Sequence, residues 1–382
     1  MGDNVACPPS APLRLLSSVY RYLRPLLFRL DAERAHGMGA AAAHVGQRAR
    51  PLVRALYRVE DERLAQTVWG LRFASPVGLA AGFDKNAALV PFWAALGFGF
   101  AEVGSVTARP SAGNPRPRAF RLERDRALVN RMGLNNDGAE AIAARLAGLR
   151  KPEGFVLGVN VAKTHDPLIL GDEAIEDFRQ SVRRLLPHAD FLALNVSCPN
   201  TAEGKTFEEP AALDALLAAV FAERTVQLSE VPVLVKLSPP GPDGLDTGAV
   251  DELVAISRRH GVAGFIAVNT ASDRSGCTAD VATLDRIGAG GLSGRPLADR
   301  ATTLLRHLYR TTDGVLPLVG VGGVDSAEAA YARLRAGASL VELYTALVYE
   351  GPGVVKRINR GLLRLFERDR LGSVAEAVGL DA

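Results

Sequence analysis

Three of the six lysines in this chain, Lys85, Lys163 and Lys236, lie in or just after short apolar runs. Asparagines occupy matching positions, and these are Asn130, Asn195, Asn200 and Asn269. An amide both donates and accepts hydrogen bonds, so this set suits a flat heterocycle that carries carbonyl and N–H groups. A lysine adds positive charge for a carboxylate or for a reduced, anionic ring. A single asparagine more often belongs to a turn or a cap, so the interpretation depends on shared placement.

Cys198 lies between Ser197 and Pro199 in one of these polar segments. The ordinary pKa of a thiol is about 8.5, and nearby cations lower it. This context predicts a proton acceptor that works near neutral pH. For Cys7 and Cys277 we keep the commoner interpretation of an inert thiol. Three cysteines so far apart predict no disulfide framework and a reducing compartment, and their spacing indicates no metal site.

Eight short apolar runs alternate with helix-like stretches from about residue 70 onward. The runs span residues 76–81, 100–106, 156–161, 191–196, 233–237, 264–268, 316–321 and 340–343. The alternation predicts an α/β fold with a parallel sheet, and eight strands close a (β/α)8 TIM barrel. The carboxyl ends of the strands then meet at one face, which brings the polar residues together. A doubly wound open sheet is the alternative, weakened because no GxGxxG fingerprint follows a first strand.

Two glycine-rich segments, residues 320–323 (GVGG) and 290–296 (GGLSGRP), fall late in this pattern. Backbone N–H groups can approach an anion closely where no side chain intervenes. TIM barrels often bind phosphate beside strands seven and eight. Tight turns explain either motif alone equally well, but their placement favours a phosphate site.

The first 60 residues are basic, with nine arginines against four acids, a balance of +5. Leucines recur at helical spacing over residues 15–30, and Pro25 falls inside the pattern, where it can kink the helix. A second helix is predicted over residues 31–50, with Pro51 at its end.

These helices divide the 382-residue chain into an N-terminal helical, basic extension (residues 1–52) and a barrel domain (residues 53–382). The extension either packs on the barrel or forms an amphipathic element for a membrane surface or a partner, and both can hold. The net charge of +3 gives no argument for nucleic acid. The longest stretch without Asp, Glu, Lys or Arg, residues 86–101, is too short to span a bilayer. No secretory signal is evident, so we expect a protein of the cytoplasmic compartment.

Seven segments, in order along the chain, resemble dihydroorotate dehydrogenase, the flavin enzyme of pyrimidine biosynthesis. They are residues 80–85 (AAGFDK), 104–107 (GSVT), 113–122 (GNPRPRAFRL), 130–136 (NRMGLNN), 195–200 (NVSCPN), 290–297 (GGLSGRPL) and 320–325 (GVGGVD). The likeness runs from about residue 31 to the C-terminus. It implies a TIM-barrel flavoprotein that uses FMN to oxidise (S)-dihydroorotate to orotate on the route to UMP.

The extension, including residues 31–36 (DAERAH), is similar to that of the class 2, quinone-dependent branch. The resemblance implies two helices on the bilayer surface, at the mouth of a quinone tunnel that passes His36, Arg121 and Tyr344. It also implies a peripheral protein on the cytoplasmic side of the inner membrane, with a membrane quinone as partner.

The resemblance also assigns site residues. FMN would contact Ala81, Gly82, Lys85, Ser105, Asn160, Asn195, Lys236, Val268, Gly294, Gly322, Gly323, Tyr344 and Thr345. Substrate would contact Lys85, Asn130, Arg131, Met132, Gly133, Leu134, Asn195, Asn200, Asn269 and Thr270. Cys198 would remove the C5 proton while hydride passes from C6 to the flavin on the other face of the ring. Lys236 would balance negative charge on the reduced flavin.

Four departures from the class 2 pattern stand out. Cys198 replaces the usual serine base and is the residue type of the soluble class 1 enzymes. The loop of residues 201–210 (TAEGKTFEEP) differs, Leu134 replaces a phenylalanine, and Ala162 with Thr164 replace a glycine and an asparagine.

Quinone is the preferred electron acceptor, with fumarate or NAD as the alternative. Remoter alternatives are a non-redox phosphate-binding barrel enzyme, such as a Schiff-base aldolase or an isomerase, and a non-catalytic membrane scaffold.

Overall fold

The computed structural model describes residues 19–197 and 206–382. Its strands are β1 (Gln66–Val68), β2 (Leu71–Phe73), β3 (Val77–Leu79), β4 (Phe100–Val106), β5 (Ala119–Leu122), β6 (Ala127–Asn130), β7 (Val156–Val161), β8 (Phe191–Asn195), β9 (Val233–Leu237), β10 (Gly264–Ala267), β11 (Gly291–Gly294), β12 (Leu318–Val321) and β13 (Leu340–Leu343). Its α-helices are α1 (Tyr20–Leu27), α2 (Ala32–Gly46), α3 (Arg50–Tyr57), α4 (Val90–Ala95), α5 (Ala139–Ala147), α6 (Gly171–Leu185), α7 (Pro210–Val226), α8 (Thr247–His260), α9 (Val281–Ile287), α10 (Ala298–Thr311), α11 (Ala327–Arg335), α12 (Thr345–Glu350), α13 (Val354–Asp369) and α14 (Val374–Ala377).

Eight parallel strands form a closed barrel in the order β10, β12, β13, β3, β4, β7, β8, β9. Helices cover the outer face and side chains fill the interior, so barrel strands are buried on both faces and can be apolar throughout. Every residue of β4, β7, β8 and β9 is buried accordingly. The predicted (β/α)8 barrel with a helical N-terminal extension is confirmed.

Aromatic rings fill the amino end of the barrel. Phe100 and Phe191 are fully buried there, and Phe73 of the β1–β2 hairpin packs edge-on against Phe100 at 5.4 Å between ring centroids. The hairpin is fastened by Trp69, whose Nε1 donates to the Ala263 carbonyl at 2.9 Å. Gly78 is required beside Phe100, because a Cβ at this position would lie 2.2 Å from the ring. This closed end leaves the carboxyl end of the strands for the site.

A second sheet, which the sequence analysis did not foresee, covers part of that end. It is antiparallel, in the order β11, β6, β5, and it aligns Gly291 with Asn130. The glycine-rich segment of residues 290–296 is therefore partly a strand, β11. The sheet brings the 130–134 segment and the 291–294 segment to the same edge of the barrel.

The N-terminal extension contains three described helices rather than two. Asp31 caps α2, since its carboxylate accepts from the backbone N–H groups of Glu33 and Arg34 at 3.0 Å. The expected helix end at Pro51 is wrong: this proline lies in the first turn of α3, where its missing N–H costs nothing. Pro25 lies inside α1 without ending it. The division at residue 52 stays a prediction, and α3 continues across it.

Large apolar side chains of the extension face solvent. Leu23, Leu26 and Tyr22 of α1 are 47%, 58% and 65% exposed, and Met38 of α2 is 53% exposed. Of the helices in the two described ranges, none combines the length and apolar character needed to cross a bilayer.

Candidate active site

A cavity opens at the carboxyl ends of the barrel strands. Most of the predicted cofactor and substrate residues line it. They are Ala81, Gly82, Lys85, Ser105, Asn130, Met132, Gly133, Leu134, Asn195, Lys236, Val268, Asn269, Thr270, Gly294, Gly322, Gly323, Tyr344 and Thr345. Lys85 and Lys236, which come from strands on different sides of the barrel, therefore share one opening.

Other predicted residues lie apart from the cavity or outside the described residues. Arg131 donates to the Ile287 and Ala289 carbonyls and stacks over Phe120, so it faces away. Lys163, expected at the same mouth, instead donates to the Asp166 and Ile169 carbonyls at 2.9 Å. Cys198 and Asn200 lie outside the described residues.

The floor of the cavity is a buried polar layer. The Lys236 ammonium lies 2.5 Å from Glu102 Oε2 and 3.8 Å from Glu342 Oε2. Asn160, predicted to touch the cofactor, is fully buried within this layer and donates from Nδ2 to Glu102 Oε1 at 2.6 Å. The Ala81 backbone N–H also donates to Glu102, at 3.2 Å. Glu102 therefore receives three donors, as an ionised carboxylate requires when it is removed from water.

The pKa values of the two buried carboxyls of this floor are shifted in opposite directions. Burial raises the pKa of Glu342 well above its ordinary value, and the negative charge of Glu102 adds to the effect. Burial acts in the same sense on Glu102, but the charge of Lys236 outweighs it and holds the pKa of Glu102 low. Burial alone would lower the pKa of Lys236, and the two carboxyls reverse this, so that its pKa is raised.

Amide and hydroxyl groups form a hydrogen-bonded network on one wall. Asn195 Nδ2 donates to Ser105 Oγ at 3.0 Å, and Asn269 Nδ2 donates to Asn195 Oδ1 at 3.0 Å. Ser197 Oγ donates to the Lys236 carbonyl at 2.9 Å and ties β8 to β9. Such a network fixes which amide faces present donors and which present acceptors to a ligand.

Lys85 brings a second amine to the cavity. Burial and the nearby Arg118 guanidinium lower its pKa to about 8. The preceding Asp84 is structural: its carboxylate accepts from the Ala88 and Leu89 backbone N–H groups at 2.8 Å and from Trp93 Nε1 at 2.9 Å. The segment 80–85 thus separates into an aspartate that shapes the turn and a lysine that lines the cavity.

One corner of the cavity is suited to an anion. Gly323 has φ +72°, and a Cβ there would lie 2.7 Å from the Ala298 Cβ. Gly294 has φ +103°, and a Cβ there would lie 2.4 Å from the Arg126 carbonyl oxygen. Only glycine leaves the backbone open at these positions. Arg126 and Arg295 line the same cavity, but each is paired with a carboxylate, Arg126 with Glu350 and Arg295 with Asp325, so the backbone N–H groups of the glycines are the main feature that suits an anion.

The N-terminal helices reach the cavity through aromatic rings. His36 of α2 packs on Phe83 at 4.9 Å between ring centroids, and Phe83 packs on Tyr344 at 5.2 Å. Burial and the Lys85 charge lower the pKa of His36 to about 4, so its imidazole is neutral at physiological pH. Arg121 donates to the Leu27 and Leu30 carbonyls at the end of α1. These three predicted tunnel residues therefore lie where the extension meets the barrel.

Sequence reasoning missed the two acids of the floor, Glu102 and Glu342. Each is a single acid inside an otherwise apolar strand, in FAEVGSV and LVEL. An acid within a fully buried strand needs a cationic or hydrogen-bonding partner, and this was the available signal.

A closed barrel with an amide wall, two amines and a glycine corner on one cavity at its carboxyl end has the architecture of a TIM-barrel enzyme. The family model described as dihydroorotate dehydrogenase matches residues 63–366, and this chain belongs to that family. Members are oxidoreductases and are flavin-dependent in general. This assignment sets aside the non-redox barrel enzyme and the non-catalytic scaffold.

Curated relatives agree over nearly the full chain. The dihydroorotate dehydrogenase (quinone) of Deinococcus deserti is 46% identical over 370 residues, covering 95% of this chain and 99% of the relative. That of Roseiflexus castenholzii is 46% identical, covering 95% and 97%. Among solved structures, the Eimeria tenella enzyme in complex with ferulenol superposes with a TM-score of 0.81 at 32% identity, covering 92% of this chain and 96% of that one.

The residues present fit a flavin. The open glycine backbone of the corner suits a phosphate, and the wall of Ser105 and Asn195 with the Lys236 amine suits the polar edge of a ring. Within the described part of the chain, all of these groups line the same cavity.

Proposed function

We propose that this protein oxidises (S)-dihydroorotate to orotate with bound FMN and passes the electrons to a membrane quinone, in pyrimidine biosynthesis. The observation that carries the proposal is the meeting of Lys85, Asn195, Lys236 and Asn269 at one cavity whose far corner is built from glycines. Membership in the dihydroorotate dehydrogenase family supplies the reaction class.

Cofactor binding is proposed for Lys236 of the floor, for the wall and for the glycine corner. Gly294, Gly322 and Gly323 would hold the phosphate by backbone N–H groups, and Lys236 with Asn195 would hold the ring. When bound, FMN supplies the acceptor for the hydride that leaves C6 of dihydroorotate. Asn160 would support the cofactor site indirectly, because its side-chain amide donates to Glu102.

Substrate binding is proposed for Lys85, Asn130, Asn269 and the backbone of residues 132–134. The Lys85 ammonium would bind the substrate carboxylate, while the amides bind the carbonyl and N–H groups of the pyrimidine. Asn269 is fixed for this task, because it bonds Asn195 Oδ1 and the Ser197 carbonyl. Fixing the ring flat in one orientation supplies rate through positioning.

Cys198 is the proposed base for the C5 proton. It follows Ser197, which is buried and bonded to the Lys236 carbonyl, and it lies outside the described residues. Its role is carried over from the family motif at residues 195–200. A thiolate is the competent form, so the reaction requires deprotonation of Cys198.

The extension, proposed as residues 1–52, would attach peripherally to the cytoplasmic face of the membrane and admit the quinone. Three observations support this role: the basic charge, the exposed leucines of α1, and the aromatic path from His36 to Tyr344. No helix needs to span the bilayer for such attachment.

Anaerobic mixing of the yellow protein with dihydroorotate tests the proposal. We expect the flavin absorbance to bleach and then to return on addition of a soluble quinone, but not on addition of fumarate or NAD. Return with fumarate and none with quinone would contradict the quinone assignment while leaving the first half-reaction intact. A purified protein that neither contains nor takes up FMN would contradict the whole proposal.

A further inference from the structure

Glu342 is a buried carboxyl to which the proposed reaction gives no task. It lines the cavity from β13, is 0% exposed, and neither of its carboxyl oxygens has a hydrogen-bond partner within the described part of the chain. Glu102, on β4, is equally buried. Both carboxyls face the same ammonium, that of Lys236, at 3.8 Å and 2.5 Å respectively.

One ammonium cannot neutralise two carboxylates, so full ionisation would leave this buried layer with a net charge of −1. The strands that flank Glu342 provide no further cation, because β3 (VGL) and β12 (LVGV) contain no ionisable residue. The charged groups that act on Glu342 are Glu102 and Lys236. Burial of an unpaired negative charge is costly, and the layer avoids it by keeping one proton.

The hydrogen bonds show which carboxyl holds that proton. Glu102 accepts from Lys236, from Asn160 Nδ2 and from the Ala81 backbone N–H, and each of these donors favours the ionised form. Glu342 has no such donor within hydrogen-bond distance among the described residues. The charge therefore belongs on Glu102 and the proton on Glu342.

We propose that Glu342 stays protonated in the working enzyme and is a positioning residue, which leaves Lys236 paired with Glu102 alone and the cavity floor without net negative charge. The consequence for the flavin rests on the proposed function. A reduced flavin ring carries negative charge, and an ionised Glu342 beneath it would oppose reduction. A neutral Glu342 leaves the Lys236 field in place at physiological pH.

Infrared spectroscopy of the protein in H2O and D2O tests the protonation state directly and needs no flavin. At pH 7 we expect a carboxylic acid C=O band that shifts in D2O and disappears in Glu342→Gln. The apoprotein is measured as well, so that a protein without flavin would overturn the proposed function while the band still decides the state of Glu342. If Glu342→Gln does not fold, Glu342→Met is a second neutral variant of similar size.

The flavin midpoint potential as a function of pH gives a second readout. We expect wild type and Glu342→Gln to coincide at pH 7, and wild type to fall below the variant as the pH rises and Glu342 ionises. Glu102→Gln is the matched control, since removal of the charged acid should change the potential already at pH 7. A Glu342→Gln potential above wild type at pH 7, together with no carboxylic acid band in wild type, overturns the proposal.

Discussion

Lys85 should make ligand binding pH-dependent. Its pKa is lowered to about 8, so the ammonium is charged below that pH and loses its charge as the pH rises through it. If only the charged form binds the carboxylate of orotate, the dissociation constant should weaken about tenfold between pH 7 and pH 9. The measurement is a titration of the oxidised protein with orotate, followed by the flavin spectrum.

Lys85→Arg is the control for this titration, because a guanidinium stays charged throughout the range. Its affinity for orotate should be nearly flat between pH 7 and pH 9, whatever its absolute value. Equal pH dependence in wild type and Lys85→Arg would contradict the role given to Lys85.

Cys198 should control the rate of the first half-reaction. Removal of a general base typically costs about 10²–10⁴-fold, so Cys198→Ala should slow flavin reduction by dihydroorotate by that amount and leave the protein yellow. Cys198→Ser should recover activity only at higher pH, because a hydroxyl is much less acidic than a thiol. Stopped-flow reduction measures both variants, and near-normal reduction in Cys198→Ala would remove the thiol from the mechanism.

Helix α2 is linked through hydrogen bonds to residues 132–134, the segment proposed to bind the substrate. Glu33 accepts from Arg118 Nη2 at 2.8 Å, and Arg118 Nη1 donates to the Ala112 and Asn114 carbonyls at 2.8 Å and 3.0 Å. Asn114 in turn donates from its backbone N–H to the Met132 carbonyl at 3.1 Å. The helix of the extension thus helps to hold the segment that we propose to bind the substrate.

Glu33→Ala should therefore weaken both the fold and the substrate site. Arg118 is nearly buried, and loss of its charged partner should cost about 2 kcal/mol of unfolding free energy and raise the KM for dihydroorotate. The guanidinium keeps the pKa of Glu33 below its ordinary value, so the contribution is present at neutral pH and is lost as the pH falls through that lowered pKa. Denaturant unfolding and steady-state kinetics measure the two effects.

Arg116→Ala is the matched control, because Arg116 bonds the same Glu33 carboxylate but its side chain is 74% exposed. An exposed pair contributes about 0–1 kcal/mol, so this variant should behave nearly as wild type. Equal losses in Arg116→Ala and Glu33→Ala would show that burial of Arg118 does not matter.

Elements of the barrel could be predicted from sequence because each strand is an apolar run between helical stretches. The antiparallel sheet of β5, β6 and β11 could not, since its strands have four residues each and its pairing joins residue 130 to residue 291.

Glu102 and Glu342 could not be recognised as site residues from sequence, because each lies within an apolar run. Among the site residues, Lys85, Asn195 and Lys236 were found because strand ends of a barrel must converge. Lys163 shares that position in sequence, yet it bonds backbone carbonyls instead of facing the cavity. Arg131, assigned by resemblance, follows β6 of the antiparallel sheet and also bonds backbone carbonyls.

The described part of the extension presents apolar side chains to solvent. α1 docks on α12 through Arg24, which donates to the Tyr349 carbonyl at 3.0 Å, and through Phe28, which packs on Tyr349 at 5.3 Å. Leu23 and Leu26 are not used in this docking and remain about half exposed. Apolar side chains on a basic helix are typical of a segment that lies in a membrane interface.

Replacing Leu23 and Leu26 together by serine should therefore reduce membrane binding without harming the first half-reaction. Each buried leucine contributes about 1.5–3 kcal/mol, so binding to vesicles that contain anionic lipid should weaken at least tenfold. The KM for a long-chain quinone in those vesicles should rise, while flavin reduction by dihydroorotate stays at the wild-type rate.

Leu228→Ser, at a leucine that is 90% exposed on the barrel domain, is the matched control and should change neither vesicle binding nor the KM for quinone. Equal vesicle binding by wild type and the double variant would show that these two leucines do not contribute to membrane binding. Loss of flavin reduction would instead show that α1 supports the cavity itself, because α1 contacts Tyr349 of α12, which lines the cavity.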